Sequence, residues 1–451
     1  MLVKLLETNM LIRRLKFLLL LMALPIIGSA QGYSLPEDQK FEKIRFQLIN
    51  NLIVVPIDVN GTELSFVLDS GVSTPILFNL SNQDSLELKN VSEITINGLG
   101  EGEPINALSS QGNYFKLGNV RNFSQKLYVV MDAGINFSPS LGVPIHGIIG
   151  YDLFRDFIVD INYSANTIKF YNPEIDAPKL GNRYETLQVE VVNRKAYMDA
   201  TVSLKGVKAI PVKMLLDTGS SDAIWLFEDE RIQLPKEYYE DYLGKGLAGD
   251  IYGKRTKVEG IQIGGFELYD AKAAFPDMLS FSTIKDLGNR NGSLGGEILK
   301  RFNIVFDYPN GKISLRKNSN FKKPFHYNVS GIDLQHAGVR YVSERIADVN
   351  GIVESSERTY GNVQILLEGA TRLSLVPEIV VSGIRSGSPA HSAGLQEGDI
   401  ILAVNGKRIH RYKIQEIMEM LNEKEGKRVK VLVERANNNL LFSFVLKDLF
   451  K

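Results

Sequence analysis

The sequence predicts a mainly β protein, built from two similar lobes and a smaller α+β module at the C-terminus. Three observations predict it. One set of landmarks occurs twice in the same order, apolar β-type runs split by turn signals fill most of the first 320 residues, and the pattern changes after that.

Taken in order, residues 1–30 read as a secretory signal peptide. Arg13, Arg14 and Lys16 precede an apolar run over 17–27, and Gly28-Ser29-Ala30 supplies small residues for cleavage before Gln31. A run of this length falls short of the ~20 residues that span a bilayer. The other reading is an anchor that stays attached. Met10 gives a more compact start. With no cysteine in the chain, lipid attachment after the run, disulfides, thiolate metal sites and cysteine nucleophiles are all excluded.

The repeat then begins. Phe66-Val67-Leu68-Asp69-Ser70-Gly71 returns as Met214-Leu215-Leu216-Asp217-Thr218-Gly219. A Gly-Leu pair, Gly98-Leu99 and Gly246-Leu247, follows 29 residues after each Asp. Gly147-Ile148-Ile149-Gly150 and Gly292-Ser293-Leu294-Gly295 close the two copies, with the last Gly 81 and 78 residues after the Asp. These landmarks divide the chain into lobe 1 at 31–180 and lobe 2 at 181–320. Strands are predicted over 46–59 and 63–68 around Asn60-Gly61, and over 197–204 and 207–216 around Lys205-Gly206. Short strands at 168–170 and 313–315 end the lobes, the second after an Asn310-Gly311 turn, and a helical turn or two is predicted near Leu153 and Leu299.

Residues 321–451 form the third unit, with an insertion at about 336–377. A helix is predicted over 414–421, where Ile414, Ile417, Met418 and Leu421 recur at helical spacing, and strands over 429–433 and 440–446.

One Asp-Ser/Thr-Gly is ordinary turn chemistry. Two copies, each after an apolar strand and followed by the same landmarks, point to paired carboxylates. Two carboxyl groups held about 3 Å apart cannot both ionise cheaply, so they share a proton, and one serves as base while the other donates. Gly71 and Gly219 let each turn approach its partner closely. Ser70 and Thr218 are placed to tie each turn to the other lobe's main chain. Ser220 is placed to donate a hydrogen bond to Asp217, whereas Val72 offers Asp69 none, which predicts that Asp69 more often carries the shared proton.

These segments resemble the pepsin and retropepsin superfamily of aspartic peptidases, over roughly residues 40–318. The resemblance implies two pseudo-twofold-related, acid-protease-like β-barrel lobes. It also implies hydrolysis of a polypeptide by water activated between Asp69 and Asp217, without cofactor or metal. It implies flexible flaps over the cleft, for which Gly98, Leu99 and Gly100, and Gly246 and Leu247, are candidates, the other reading being plain β-turns. Val72 departs from the small residue usual there, and the lobes are short for pepsins. At the C-terminus, Gly387-Ser388-Pro389-Ala390, Ala393-Gly394-Leu395, Gly398-Asp399 and Val404-Asn405-Gly406 resemble a PDZ domain. That resemblance implies binding of an extended peptide or peptide C-terminus, with Gly331, Ile332, Asp333 and Leu334 as the candidate loop and strand.

Other chemistries lack support. No Gly-x-Ser-x-Gly, His-Glu-x-x-His or phosphate-cradling loop occurs. Lys+Arg and Asp+Glu both number 52, so net charge gives no reason to expect nucleic acid or stable membrane insertion once the signal is removed. His146 and His391 read as structural and surface residues, and Trp225 as either subsite or core. The sequence thus predicts an exported endopeptidase, periplasmic, surface-held or secreted. The alternative is a non-catalytic peptide-binding protein with the same folds.

Overall fold

The computed structural model describes residues 32–80, 86–132, 134–282, 287, 289–345, 357–360, 363–366, 371–447 and 450. The predicted signal peptide and part of the predicted insertion lie outside the described residues.

Each lobe is an eight-stranded sheet with the same strand order. In lobe 1 the order is Gln47–Ile49, Leu52–Val59, Thr62–Leu68, Gly147–Ile149, Ile76–Leu77, Val120–Val130, Ile105–Leu117 and Ser92–Ile96. In lobe 2 it is Glu190–Val192, Lys195–Leu204, Val207–Leu216, Gly292–Leu294, Ile224–Leu226, Phe266–Pro276, Gly249–Ile263 and Tyr239–Gly246. Pairing of Leu52–Val59 with Ile105–Leu117, and of Lys195–Leu204 with Gly249–Ile263, curls each sheet back on itself. The alternation along Lys195–Leu204 shows why it is a strand: Ala196, Met198, Ala200, Val202 and Leu204 are buried on one face, and the residues between them lie on the other, less buried face.

The run over 46–59 is not one strand. Asn50 and Asn51 adopt left-handed φ of 46° and 68° and turn the chain between Gln47–Ile49 and Leu52–Val59. Asparagine tolerates this region better than other side chains. Asn193 and Arg194 (φ 51° and 64°) make the matching turn in lobe 2, so the second strand starts at Lys195 rather than Tyr197.

A third sheet joins the lobes, in the order Phe41–Arg45, Thr167–Tyr171, Ile158–Asn162, Phe302–Asp307, Lys312–Lys317 and Glu185–Gln188. Its central pair crosses the pseudo-twofold axis, with Ile161 opposite Ile304. The helices Tyr151–Asp156 and Gly296–Leu299 follow the two Gly-x-x-Gly segments. Phe154 of the first packs on Phe306 and Tyr308 of the other lobe, with ring centroids 5.1 and 5.2 Å apart. One apolar core therefore runs through both lobes, and the lobes are held as one body rather than as two hinged halves.

The C-terminal module has its own core. Its main sheet runs Ile332–Arg345, Thr371–Ile384, Ile400–Val404, Arg428–Arg435 and Asn438–Val445. Helix Pro389–Ala393 is capped by the Ser388 hydroxyl, which accepts the His391 N–H. Helix Ile414–Leu421 buries Ile414, Ile417 and Leu421 on the sheet. The first two strands continue beyond the module as a long antiparallel ribbon ending at Arg345 opposite Thr371, within the stretch 336–377. Strands Glu357–Tyr360 and Val363–Leu366 pair with each other further along. Among the described residues, no helix is long and apolar enough to cross a membrane.

Candidate active site

Strands Thr62–Leu68 and Val207–Leu216 deliver Asp69 and Asp217 from rigid ends. The Asp69 N–H donates to the Ile149 carbonyl (2.7 Å) and the Asp217 N–H to the Leu294 carbonyl (3.0 Å). The Gly-x-x-Gly strands lie parallel beside them, with Gly147 opposite Phe66 and Gly292 opposite Met214. This close passage requires glycine: a Cβ on Gly150 would collide with the Asp69 carbonyl oxygen, and one on Gly295 with the Asp222 carbonyl oxygen.

The turns hold each other across the axis. The Ser70 hydroxyl donates to the Leu216 carbonyl (2.7 Å) and accepts the Thr218 N–H (3.0 Å). Reciprocally, the Thr218 hydroxyl donates to the Leu68 carbonyl (2.7 Å) and accepts the Ser70 N–H (2.9 Å). Both residues are fully buried, so these four bonds are shielded from competing water. The structure thereby brings Asp69, Ser70, Gly71, Asp217, Thr218 and Gly219 into one cluster. A Cβ on Gly71 would lie 3.1 Å from Asp69 Oδ1 and 3.4 Å from Asp217 Oδ1.

The two carboxyl groups differ electrostatically. Burial, followed by the negative charge of Asp217, pushes the Asp69 carboxyl up to about 7, against the pull of the Gly71 N–H (2.7 Å) and Lys195. Burial raises Asp217 as well. Arg290, then the Gly219 N–H (3.1 Å), Lys195 and the Ser220 N–H, oppose the rise. Charge placement therefore favours a pair carrying its shared proton on Asp69. The sequence reading assigned the asymmetry to the Ser220 hydroxyl, and here it needs correction. No described hydrogen bond joins that hydroxyl to the Asp217 carboxylate. The backbone N–H of Ser220 acts instead, and Arg290 outweighs it.

The flap candidates of the two lobes meet each other. Gly98, Leu99 and Gly100 lie in the loop between Ser92–Ile96 and Ile105–Leu117, and Leu247 lies at the tip of the hairpin formed by Tyr239–Gly246 and Gly249–Ile263. The Ala248 N–H donates to the Leu99 carbonyl (2.8 Å) and the Gly102 N–H to the Ala248 carbonyl (2.6 Å), while the Gly100 N–H reaches Ser280 (2.9 Å). A Cβ on Gly98 or Gly246 would strike the opposite tip. Leu99 packs into lobe 2 beside Trp225 and Leu243, and Leu247 packs into lobe 1 against an apolar cluster that includes Val54 and Phe78. Each tip is thus latched into the other lobe.

Trp225 packs with Leu99 and Leu243 and donates its indole N–H to Asp222 (2.7 Å), as the core reading expects. Asp222 also receives Arg255 (2.7 Å), whose other arm holds Asp241 (2.6 Å) at the base of the lobe 2 flap. This network ties the flap hairpin to the turn that carries Asp217. His146 is structural, its Nδ1 accepting the Ser65 N–H at 3.0 Å. His391 is exposed.

In the C-terminal module, Gly331 to Leu334 begin the edge strand beside helix Ile414–Leu421. Ile332 and Leu334 are buried in the module's core, so what they can offer a peptide is main chain. The Gly331 N–H is held by Asn328 Oδ1 (3.0 Å) and the Ile332 N–H by Ser330 Oγ (3.3 Å). Burial, then Asp241, raises the Asp333 carboxyl to about 6. Lobe 1 touches this module: Gln415 donates to the Leu141 carbonyl (2.9 Å), and Gly142 sits against Ile414 and His336.

Two residues beside the dyad were missed, Lys195 and Arg290. Nothing in their spacing marks them. The signal was in the repeat itself: matched on Gly147 and Gly292, Arg290 falls where lobe 1 has Ile145.

Comparison with known families agrees with this architecture. The aspartyl protease family model matches residues 55–153 and 200–298, one segment in each lobe, and the PDZ domain model matches residues 380–435. The chain carries two aspartyl protease segments, each delivering one Asp to the shared cluster, and a C-terminal PDZ domain.

Proposed function

We propose that this chain is an exported aspartic-type endopeptidase that hydrolyses peptide bonds with a water activated between Asp69 and Asp217. The observation that carries the proposal is the reciprocal Ser70–Thr218 clasp, which presents two adjacent, half-buried carboxyl groups from opposite lobes. A family match alone would not supply that geometry.

The chemistry follows from the charge asymmetry. Ionised Asp217 takes a proton from the water while protonated Asp69 gives its proton to the scissile carbonyl oxygen. Water oxygen bonds to the carbonyl carbon, giving a neutral tetrahedral diol. Collapse of the diol re-forms the carbonyl as the C–N bond breaks, and the departing nitrogen takes the proton held by Asp217 while the diol hydroxyl returns one to Asp69. The dyad ends as it began. The flap contacts exclude bulk water from this step, which strengthens each electrostatic interaction within it. Substrate entry requires the Leu99–Ala248 and Ala248–Gly102 hydrogen bonds to open.

Export rests on the signal-peptide pattern at 1–30, and peptide binding by the PDZ domain rests on its edge strand beside helix Ile414–Leu421. The test is cleavage of an unfolded polypeptide or random peptide library by the wild type, Asp69→Asn and Asp217→Asn, with folding of each checked by circular dichroism. Cleavage by the wild type alone supports the proposal. Equal cleavage by Asp217→Asn would move the chemistry elsewhere, and no cleavage by any form would leave a peptide-binding protein.

A further inference from the structure

We propose that Lys195 and Arg290 form a subsite for an acidic side chain, so that the enzyme cleaves beside an Asp or Glu of its substrate. The inference rests on the peptide-hydrolysis reading and adds a substrate class to it.

The two lobes differ at equivalent positions beside the dyad. Tyr197 pairs with Leu215, two residues before Asp217, and Val54 pairs with Val67, two residues before Asp69. Tyr197 and Val54 are therefore equivalent positions. Two residues earlier on each strand stand Lys195 and Leu52, which the same register, continued past its last pair, sets opposite the Asp. Directly opposed residues of an antiparallel pair point to the same side of the sheet, so Lys195 shares the face of Asp217. Likewise Gly147 and Gly292 occupy the same register, which sets Arg290 against Ile145. In lobe 1 these positions, Leu52, Val54 and Ile145, belong to one buried apolar cluster. In lobe 2 two of the three are cations.

Among the described residues, those cations lack adequate partners. Neither forms a hydrogen bond or salt bridge with a described residue, and the Arg290 Nε is buried without an acceptor. Its guanidinium lies over the Phe227 ring, 5.3 Å from the centroid, which steadies the group without neutralising it. Among the described residues, the carboxylates acting on them belong to the dyad, and the working dyad carries one negative charge. Two positive charges facing one negative charge leave a surplus in a site shielded by the flaps. Burial and Arg290 lower the Lys195 amine from its ordinary value, as expected of neighbouring cations short of counter-charge. A substrate carboxylate supplies the missing charge and accepts from a planar guanidinium in its preferred geometry. The opposite wall takes an apolar side chain, so the scissile bond lies between, or next to, one apolar and one acidic residue.

The test uses peptides that differ only by Glu or Gln beside the scissile bond, with Leu on its other side, in both orders. They are assayed near pH 6, where the substrate carboxylate is ionised. In one order the wild type is expected to favour Glu over Gln by about tenfold or more in kcat/KM, the size of a desolvated charge-assisted hydrogen bond. Lys195→Met and Arg290→Gln should each bring the ratio toward one, and Arg290→Lys should keep part of it. The ratio is the readout because either loss of charge also acts on the dyad, which the pH–rate profile of each variant records. A shifted profile with an unchanged ratio would show that the cations tune only the carboxyl groups, and would overturn the subsite. A wild-type ratio near one in both orders would overturn it too. Absence of cleavage of every peptide would overturn the hydrolysis reading and this one together.

Discussion

Replacing Thr218 by Val isolates the clasp between the lobes. Valine keeps the shape of threonine but substitutes a methyl group for the hydroxyl. That hydroxyl donates to the Leu68 carbonyl at 2.7 Å and accepts the Ser70 N–H at 2.9 Å, and the residue is 1% exposed. The change leaves one carbonyl and one N–H buried without partners. Each such group costs about 1–3 kcal/mol, so the pair should cost about 2–6 kcal/mol. The Ser70 hydroxyl keeps its bonds to Leu216 and Thr218, so the lobes remain joined and the variant should fold. Its carboxyl groups, however, lose half of the frame that sets their separation. A displacement of about 1 Å at a reacting centre can cost about a hundredfold in rate. Chemical denaturation followed by far-UV circular dichroism gives the first quantity, and kcat on a cleaved peptide gives the second. Ser70→Ala should behave similarly, and the double variant should depart from additivity by about 0.5–3 kcal/mol because the four bonds form one network. A loss below about 0.5 kcal/mol with unchanged kcat would refute the idea that the clasp positions the dyad.

Three further outcomes follow from the same structure. The kcat/KM profile against pH should fall as pH rises through about 7, where the pair loses the proton held on Asp69, and a profile flat from pH 5 to 9 would contradict that assignment. Because Asp69 binds its proton more tightly folded than unfolded, wild-type stability should decline as pH rises from about 4, the ordinary carboxyl range, to about 7. Asp69→Asn should therefore gain in Tm relative to wild type across that window and hold the gain above it, as thermal melts at several pH values would show. Arg255→Met removes the cation that holds Asp222 and Asp241 at 2.7 and 2.6 Å in a nearly solvent-free site, leaving Asp222 with Trp225 and the more distant Lys272, and should cost about 3–5 kcal/mol in thermal or chemical denaturation. A neutral result there would mean that the network between the Tyr239–Gly246 strand and the turn carrying Asp217 carries no net stability.

What could be read from the sequence follows a physical division. The strands flanking Asn60-Gly61, the helix at 414–421 and the two Asp turns carry local signals: periodicity, turn residues and glycine where main chains pass closely. Repetition made those signals stronger than any single copy. The inter-lobe sheet was only partly legible, because Phe41–Arg45 and Glu185–Gln188 owe their strand character to partners more than a hundred residues away. Asn50-Asn51 was read through as strand because the run around it is strongly apolar. The Ser220 assignment failed because side-chain type does not reveal whether the hydroxyl or the backbone N–H faces a carboxylate. Lys195 and Arg290 were missed for a related reason. Lysine after a turn and arginine two residues before a glycine are ordinary surface patterns, and only the register of three strands shows that they face the dyad.

The most direct test of the account is single-turnover cleavage in ¹⁸O-labelled water. If water activated between Asp69 and Asp217 attacks the peptide carbonyl, the new C-terminal carboxyl should carry one ¹⁸O from the first turnover, and Asp69→Asn and Asp217→Asn should each abolish product. Unlabelled first-turnover product, or cleavage that persists in both variants, would contradict it.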